Sequence, residues 1–137
     1  AIATMSMRDR NKIALQGDLL GANDLDVLNI LALTGDPAKM SDQPNTKAVL
    51  EGSSTLLLQM IRNFNNGIDY GGREFKQKPK TINSFAVTNS YAKNFTTIEK
   101  KIYTKVKNCA TGIITQPVYD IDIAKKLLDI KRAVRRE

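Results

Sequence analysis

Val27-Leu28-Asn29-Ile30-Leu31-Ala32-Leu33-Thr34-Gly35-Asp36-Pro37 holds the longest apolar run of the chain and ends it abruptly. The run from Val27 to Leu33 is far too short to cross a membrane. Leu28 to Leu33 has the length and near-continuous apolar character of a parallel-sheet strand. Gly35, Asp36 and Pro37 are turn formers and close it. Working outward, Ile2 to Met7, Ile82 to Thr88 and Gly112 to Thr115 supply further strands of the same kind.

Stretches of helical period lie between them. Ile13, Leu15, Leu19 and Leu20 predict a helix near Asn11 to Leu20, and Leu57, Leu58, Ile61 and Phe64 one near Ser54 to Asn65. Asn66-Gly67 reads as the stop signal of the latter. Thr96 and Glu99 stand at capping-box spacing, so the next helix is expected to start there, with Ile98, Ile102 and Val106 as its apolar stripe. Asp120 is the expected N-cap of a last helix that buries Ile123, Leu127, Ile130 and Val134 and exposes Lys125, Lys126, Arg132 and Arg135.

The order is strand-helix, four times over, which specifies an α/β fold with a parallel sheet under helical cover. Such sheets carry their functional groups at the carboxyl ends of the strands. Here the loops that follow those ends begin near Arg8, Thr34, Asn89 and Gln116. The second, Gly35 to about Ser53, is long for its type, and loops of that length are usually functional or disordered.

Composition narrows the function classes. With 137 residues, 42% apolar and 26% charged, the chain is long enough for one core and too apolar for disorder. A lone Cys109 cannot form an internal disulfide, and it is expected to be a small core residue. The absence of histidine excludes a Ser-His-Asp triad, and no metal site is expected. No basic segment followed by a long apolar run opens the sequence, so a cytoplasmic, reducing setting is expected. The net charge of +7 is divided among Arg73, Lys76, Lys78 and Lys80, then Lys100, Lys101, Lys105 and Lys107, then Lys131, Arg132, Arg135 and Arg136. Few aromatics interleave with these groups, so they read as solvated faces, and no nucleic-acid partner is expected. Nor is a membrane partner, since the basic last helix has no Trp or Phe to anchor it.

Three motifs carry a resemblance. Arg8-Asp9-Arg10-Asn11 with Leu19-Leu20-Gly21-Ala22 resembles the third βα unit of methylenetetrahydrofolate reductases. Leu33-Thr34-Gly35-Asp36-Pro37 with Ser41-Asp42-Gln43-Pro44 resembles their fourth, and Ile114-Thr115-Gln116-Pro117-Val118-Tyr119-Asp120 the end of their sixth strand. The motifs come in family order and cover essentially the whole chain. The resemblance implies a TIM (β/α)8 barrel, of which residues 1–137 form about four βα units, the third to the sixth. It also implies reduction of 5,10-methylenetetrahydrofolate to 5-methyltetrahydrofolate, with NAD(P)H passing a hydride to FAD and FAD passing it to the folate. The general acid that the family carries on its first strand has no counterpart here, so these residues alone are expected to be inactive. Unpaired sheet edges make a homo-oligomer an expectation.

The resemblance assigns Asp36 as the catalytic carboxylate and Gln116 as the substrate amide facing the pterin edge. Read singly, Asp36 before Pro37 is also an ordinary turn opener, and Gln116 could satisfy backbone groups at a strand end. Thr34, Gly35, Asn89, Tyr91 and Lys105 match cofactor-binding positions. Lys105 either contacts the FAD phosphates or snorkels over an apolar face; Tyr91 either stacks on the flavin or covers the barrel rim. The chain departs from the family at several places. Thr34 stands where some members carry an arginine for the diphosphate, Thr4 where many have a histidine, and Ile98 where some have an aspartate for the ribose. Thr88-Asn89-Ser90 replaces an aromatic residue followed by proline. The competing reading, from composition alone, is a cofactor-free α/β module that binds an anionic ligand.

Overall fold

The computed structural model describes residues 1–91 and 94–134. Strands β1 (Ala3–Ser6), β2 (Asn29–Leu33), β3 (Asn83–Thr88) and β4 (Gly112–Thr115) alternate with helices α1 (Lys12–Asp24), α2 (Ser54–Asn65), α3 (Phe95–Lys107) and α4 (Ile121–Val134). The strands form one sheet in the order β1-β2-β3-β4, and every pairing is parallel. This is the α/β arrangement that the alternating pattern specifies.

Register explains which side is covered. Met5, Ala32, Ala86 and Ile113 form one row across the sheet. They pack into the apolar clusters built by the helices, with Leu15, Leu19, Leu57, Ile61 and Phe64 on one side and Ile98, Ile102, Leu127 and Ile130 on the other. All four helices therefore lie on one face. The next row, Thr4, Leu31, Phe85 and Gly112, points to the opposite face. There Leu31, Leu33, Phe85 and Val87 are only half-buried and Ile114 is exposed. Gly112 makes room for an aromatic ring on that face, since a Cβ there would lie 2.8 Å from Phe85 Cδ1.

The helix ends follow local chemistry. Asn11 caps α1 by accepting from the Ala14 N–H at 2.9 Å. α1 runs past the expected Leu20 end because Asn23, buried in its last turn, holds the Lys80 main chain through both its amide oxygen and its amide nitrogen. α2 ends as expected: Gly67 is left-handed (φ +81°), its N–H donates to the Phe64 carbonyl, and the Ile68 N–H donates to that of Asn63. α3 corrects the capping-box expectation. Its N-cap is Asn94, whose side chain accepts from the Thr96 N–H at 3.0 Å, so Thr96 already lies inside the first turn. Asn is the stronger cap of the two. Asp120 caps α4 through the Asp122 N–H at 2.8 Å, as the sequence suggests.

Cys109 is a second correction. It is exposed, in a left-handed conformation (φ +68°) just past the C-cap of α3. Its backbone packs instead of its thiol: its N–H donates to Val106 and its carbonyl accepts from Ser84 Oγ at 2.8 Å. Some of the surface basic groups meet carboxylates, Lys80 that of the distant Asp26 and Lys125 and Arg132 those of Asp122 and Asp129 one turn away, and exposed pairs of this kind add little stability. Arg135 and Arg136 lie outside the described residues. No described helix is long and apolar enough to cross a membrane.

Candidate functional site

Because the strands are parallel and run in sequence order, the loops that leave their carboxyl ends lie side by side along one rim. The first two are interlocked. Ser6 Oγ, at the end of β1, accepts from the Arg8 N–H at 3.1 Å and donates to the Thr34 carbonyl at 3.5 Å. The Arg8 guanidinium donates to the Asp36 carbonyl at 2.6 Å and pairs with the Asp9 carboxylate at 2.7 Å. Gly35 threads between them at φ +91°; a Cβ on it would meet Ser6 Oγ at 2.4 Å and Arg8 Cβ at 2.6 Å. Asp36 is thus held by its main chain while its side chain is exposed at the rim.

Thr34 has a structural task. Its Oγ1 accepts from the Ser54 N–H at 3.0 Å and so ties the end of β2 to the start of α2. The long connection between them is ordered by the neighbouring loop. Asp9 N–H donates to the Val49 carbonyl at 2.7 Å, Arg10 bridges Leu50, and Glu51 accepts from the Lys12 N–H at 2.9 Å. That last bond satisfies an otherwise orphaned donor at the start of α1.

The loops after β3 and β4 are laced in the same way. Gln116 N–H donates to the Thr88 carbonyl at 3.2 Å, and buried Ser90 donates to the Gln116 carbonyl at 2.5 Å. Both Gln116 bonds use its backbone, and the residue is exposed at the rim. Tyr91 Oη accepts from the Tyr119 N–H at 2.9 Å, which fixes a half-exposed ring between the two loops. Asn89 is exposed beside it. Ser90 is the residue that sequence reasoning missed. Its partner is 26 residues away, and a lone serine in a polar loop gives no periodic signal.

The structure therefore gathers Thr34, Gly35, Asp36, Asn89, Tyr91 and Gln116 at the carboxyl rim, on three adjacent strands. Lys105 stands apart, on the last turn of α3. Its ammonium donates to the Val87 carbonyl. It also lines a groove of about 240 Å³ with Thr55, Thr97, Lys100, Lys101 and Thr104. Burial, reinforced by the Lys101 charge, lowers the Lys105 pKa from its ordinary 10.5.

Residues 1–135 match the family model for methylenetetrahydrofolate reductase. The chain belongs to that family. No curated protein matches it. Membership suggests an oxidoreductase acting on methylenetetrahydrofolate, and folate one-carbon chemistry as its setting. In this reductase-family chain the matched span takes in every rim residue and the lysine groove.

The lowered Lys105 pKa has a testable sign. The lysine is harder to protonate in the folded chain than in the unfolded one, so folding carries a penalty below its lowered pKa. Stability should rise as pH climbs from that pKa towards 10.5. Thermal unfolding followed across this range should show the rise in the wild type and lose it in Lys105→Met. An unchanged rise in the variant would place its source elsewhere.

Proposed function

We propose that this chain forms the third to sixth βα units of a flavin-dependent methylenetetrahydrofolate reductase barrel, residues 1–137 being one part of that single domain. In this reading NAD(P)H is the hydride donor, FAD the carrier and 5,10-methylenetetrahydrofolate the acceptor. The observation that carries the proposal is the placing of Asp36, Asn89, Tyr91 and Gln116 on one rim of adjacent parallel strands, with the Gly35-Asp36 turn clamped by Arg8.

The donor set suits a flavin dinucleotide in part. Lys100, Lys101 and Lys105 concentrate positive charge along a groove of a size to take phosphate groups. Tyr91 offers an anchored, half-exposed ring for stacking. Ile98, by contrast, is buried in the α3–α4 cluster and can give no hydrogen bond to a ribose. Thr34 is committed to the Ser54 N–H and supplies no cation. Recognition of the diphosphate therefore falls to the lysine groove.

FAD, when bound, supplies hydride transfer. The residues of the chain orient and polarise. The Asp36 carboxylate disfavours negative charge next to it and stabilises the cationic iminium formed when the folate ring opens. The Gln116 amide donates and accepts together, as the edge of a pterin requires. Because the family's acid on the first strand has no counterpart here, folate reduction by these residues alone is not expected, and turnover by them would refute that.

Fluorescence titration of the chain with FAD and with riboflavin tests the proposal. FAD should bind more tightly than riboflavin, and Lys101→Met with Lys105→Met should remove the difference. No flavin binding would refute it. Equal retention of pyrophosphate with no preference for a flavin would favour the anion-binding module.

A further inference from the structure

Ser90 is fully buried although it lies in a rim loop, where side chains normally face water. A buried hydroxyl must be hydrogen-bonded, and the partner of this one lies on the neighbouring loop: Ser90 Oγ donates to the Gln116 carbonyl at 2.5 Å. Being inaccessible, Ser90 can touch no ligand itself. Whatever it does at the rim, it does through Gln116.

The backbone explains the pairing. β3 and β4 stay in register from Phe85–Gly112 to Thr88–Thr115. One residue further on, the Gln116 N–H still donates to the Thr88 carbonyl at 3.2 Å. In a parallel ladder the following bond would reach the Gln116 carbonyl from the main chain of the residue two beyond Thr88, which is Ser90. Here the Ser90 side chain supplies that donor. Pro117 has no N–H to carry the ladder on, and it confines Gln116 to extended backbone. Tyr91 Oη then accepts from the Tyr119 N–H at 2.9 Å. Two successive residues of the β3 loop thus pin both ends of the segment from Gln116 to Tyr119.

We propose that Ser90 is a positioning residue for substrate binding: by holding the Gln116 carbonyl, it sets the point and the direction from which the Gln116 side chain leaves the rim. The proposal rests on the reading of Gln116 as the amide that faces the pterin edge. The bonds to Thr88 and Ser90 use only the Gln116 backbone, and the residue stands exposed above them. A carboxamide that must donate and accept at once is sensitive to such support, because a turn or shift of its Cα misaligns both bonds together. Ser90 therefore matters to folate affinity, and it takes no part in moving a proton or a hydride.

Steady-state kinetics of the FAD-loaded reductase, in a barrel completed around these residues, test the assignment. Ser90→Ala should raise the KM for methylenetetrahydrofolate about fivefold, the effect of one hydrogen bond, while kcat at saturating folate and the spectrum of bound FAD stay the same. Gln116→Ala should raise that KM about tenfold, and adding Ser90→Ala to it should raise it no further. Ser90→Cys keeps the volume with a weaker donor, so its KM should fall between wild type and Ser90→Ala; it also serves if Ser90→Ala folds poorly. A serine that only braces the loop would act equally with and without the Gln116 side chain. That additivity, or an unchanged KM in Ser90→Ala beside a raised one in Gln116→Ala, would overturn this proposal and leave the reading of Gln116 standing. An unchanged KM in Gln116→Ala would overturn both.

Discussion

Gly35→Val is expected to lower the unfolding free energy by about 4 kcal/mol, through two additive causes. Gly35 adopts φ +91°, a conformation closed to a β-branched residue. A Cβ at this position would also lie 2.4 Å from Ser6 Oγ and 2.6 Å from Arg8 Cβ. Neither neighbour can withdraw freely. Ser6 is engaged with the Arg8 N–H and the Thr34 carbonyl, and Arg8 is held between Asp9 and the Asp36 carbonyl. Gly72 separates the two causes. It has a similar φ of +87°, but a Cβ there would meet nothing within 4 Å. Gly72→Val should therefore cost only about 2 kcal/mol, the conformational part. Urea unfolding of the variants measures this difference directly. If Gly35→Val and Gly72→Val lost the same amount, the interlock of the first two loops would contribute nothing to stability.

That interlock also marks the limit of what local sequence reveals. α2 and β4 are legible because their signals are contiguous: four apolar residues at helical spacing, a Gly67 stop, and a strand-length apolar run. The start of α3 is misread because Asn94 and Thr96 are both good caps, and only the backbone path decides between them. Cys109 looks like a core residue by type, yet its position just after a helix C-cap turns its side chain outward. The gathering of Asp36, Tyr91 and Gln116 on one rim follows from strand order alone, so it can be anticipated. Their supports cannot. Arg8 to Asp36, Ser90 to Gln116 and Tyr91 to Tyr119 each span 26 or 28 residues, and such bonds leave no periodic trace. The long Gly35–Ser53 connection shows the same thing. Its length points to function or disorder, whereas backbone bonds from Asp9 and Arg10 hold Val49 and Leu50 in place.

Asp36→Asn should separate the two halves of the proposed reaction in a barrel completed around these residues. The substitution is nearly isosteric, and the Arg8 contact is to the Asp36 carbonyl, so the loop should keep its shape and its stability. What changes is one negative charge at the rim. On the folate side that charge stabilises a developing cation, and its loss should slow folate reduction by about 10²–10³-fold, the range found when a preorganised electrostatic contact is removed. On the nicotinamide side the same charge opposes the arrival of a hydride, so reduction of bound FAD by NAD(P)H should proceed at the wild-type rate or faster. Stopped-flow absorbance resolves the two half-reactions separately. A general loss of fold or of cofactor would depress both. A carboxylate that merely opens the turn before Pro37 would affect neither. Only a charge acting on the reacting centre slows folate reduction while sparing or speeding flavin reduction, and that separation is the result the proposal requires of Asp36.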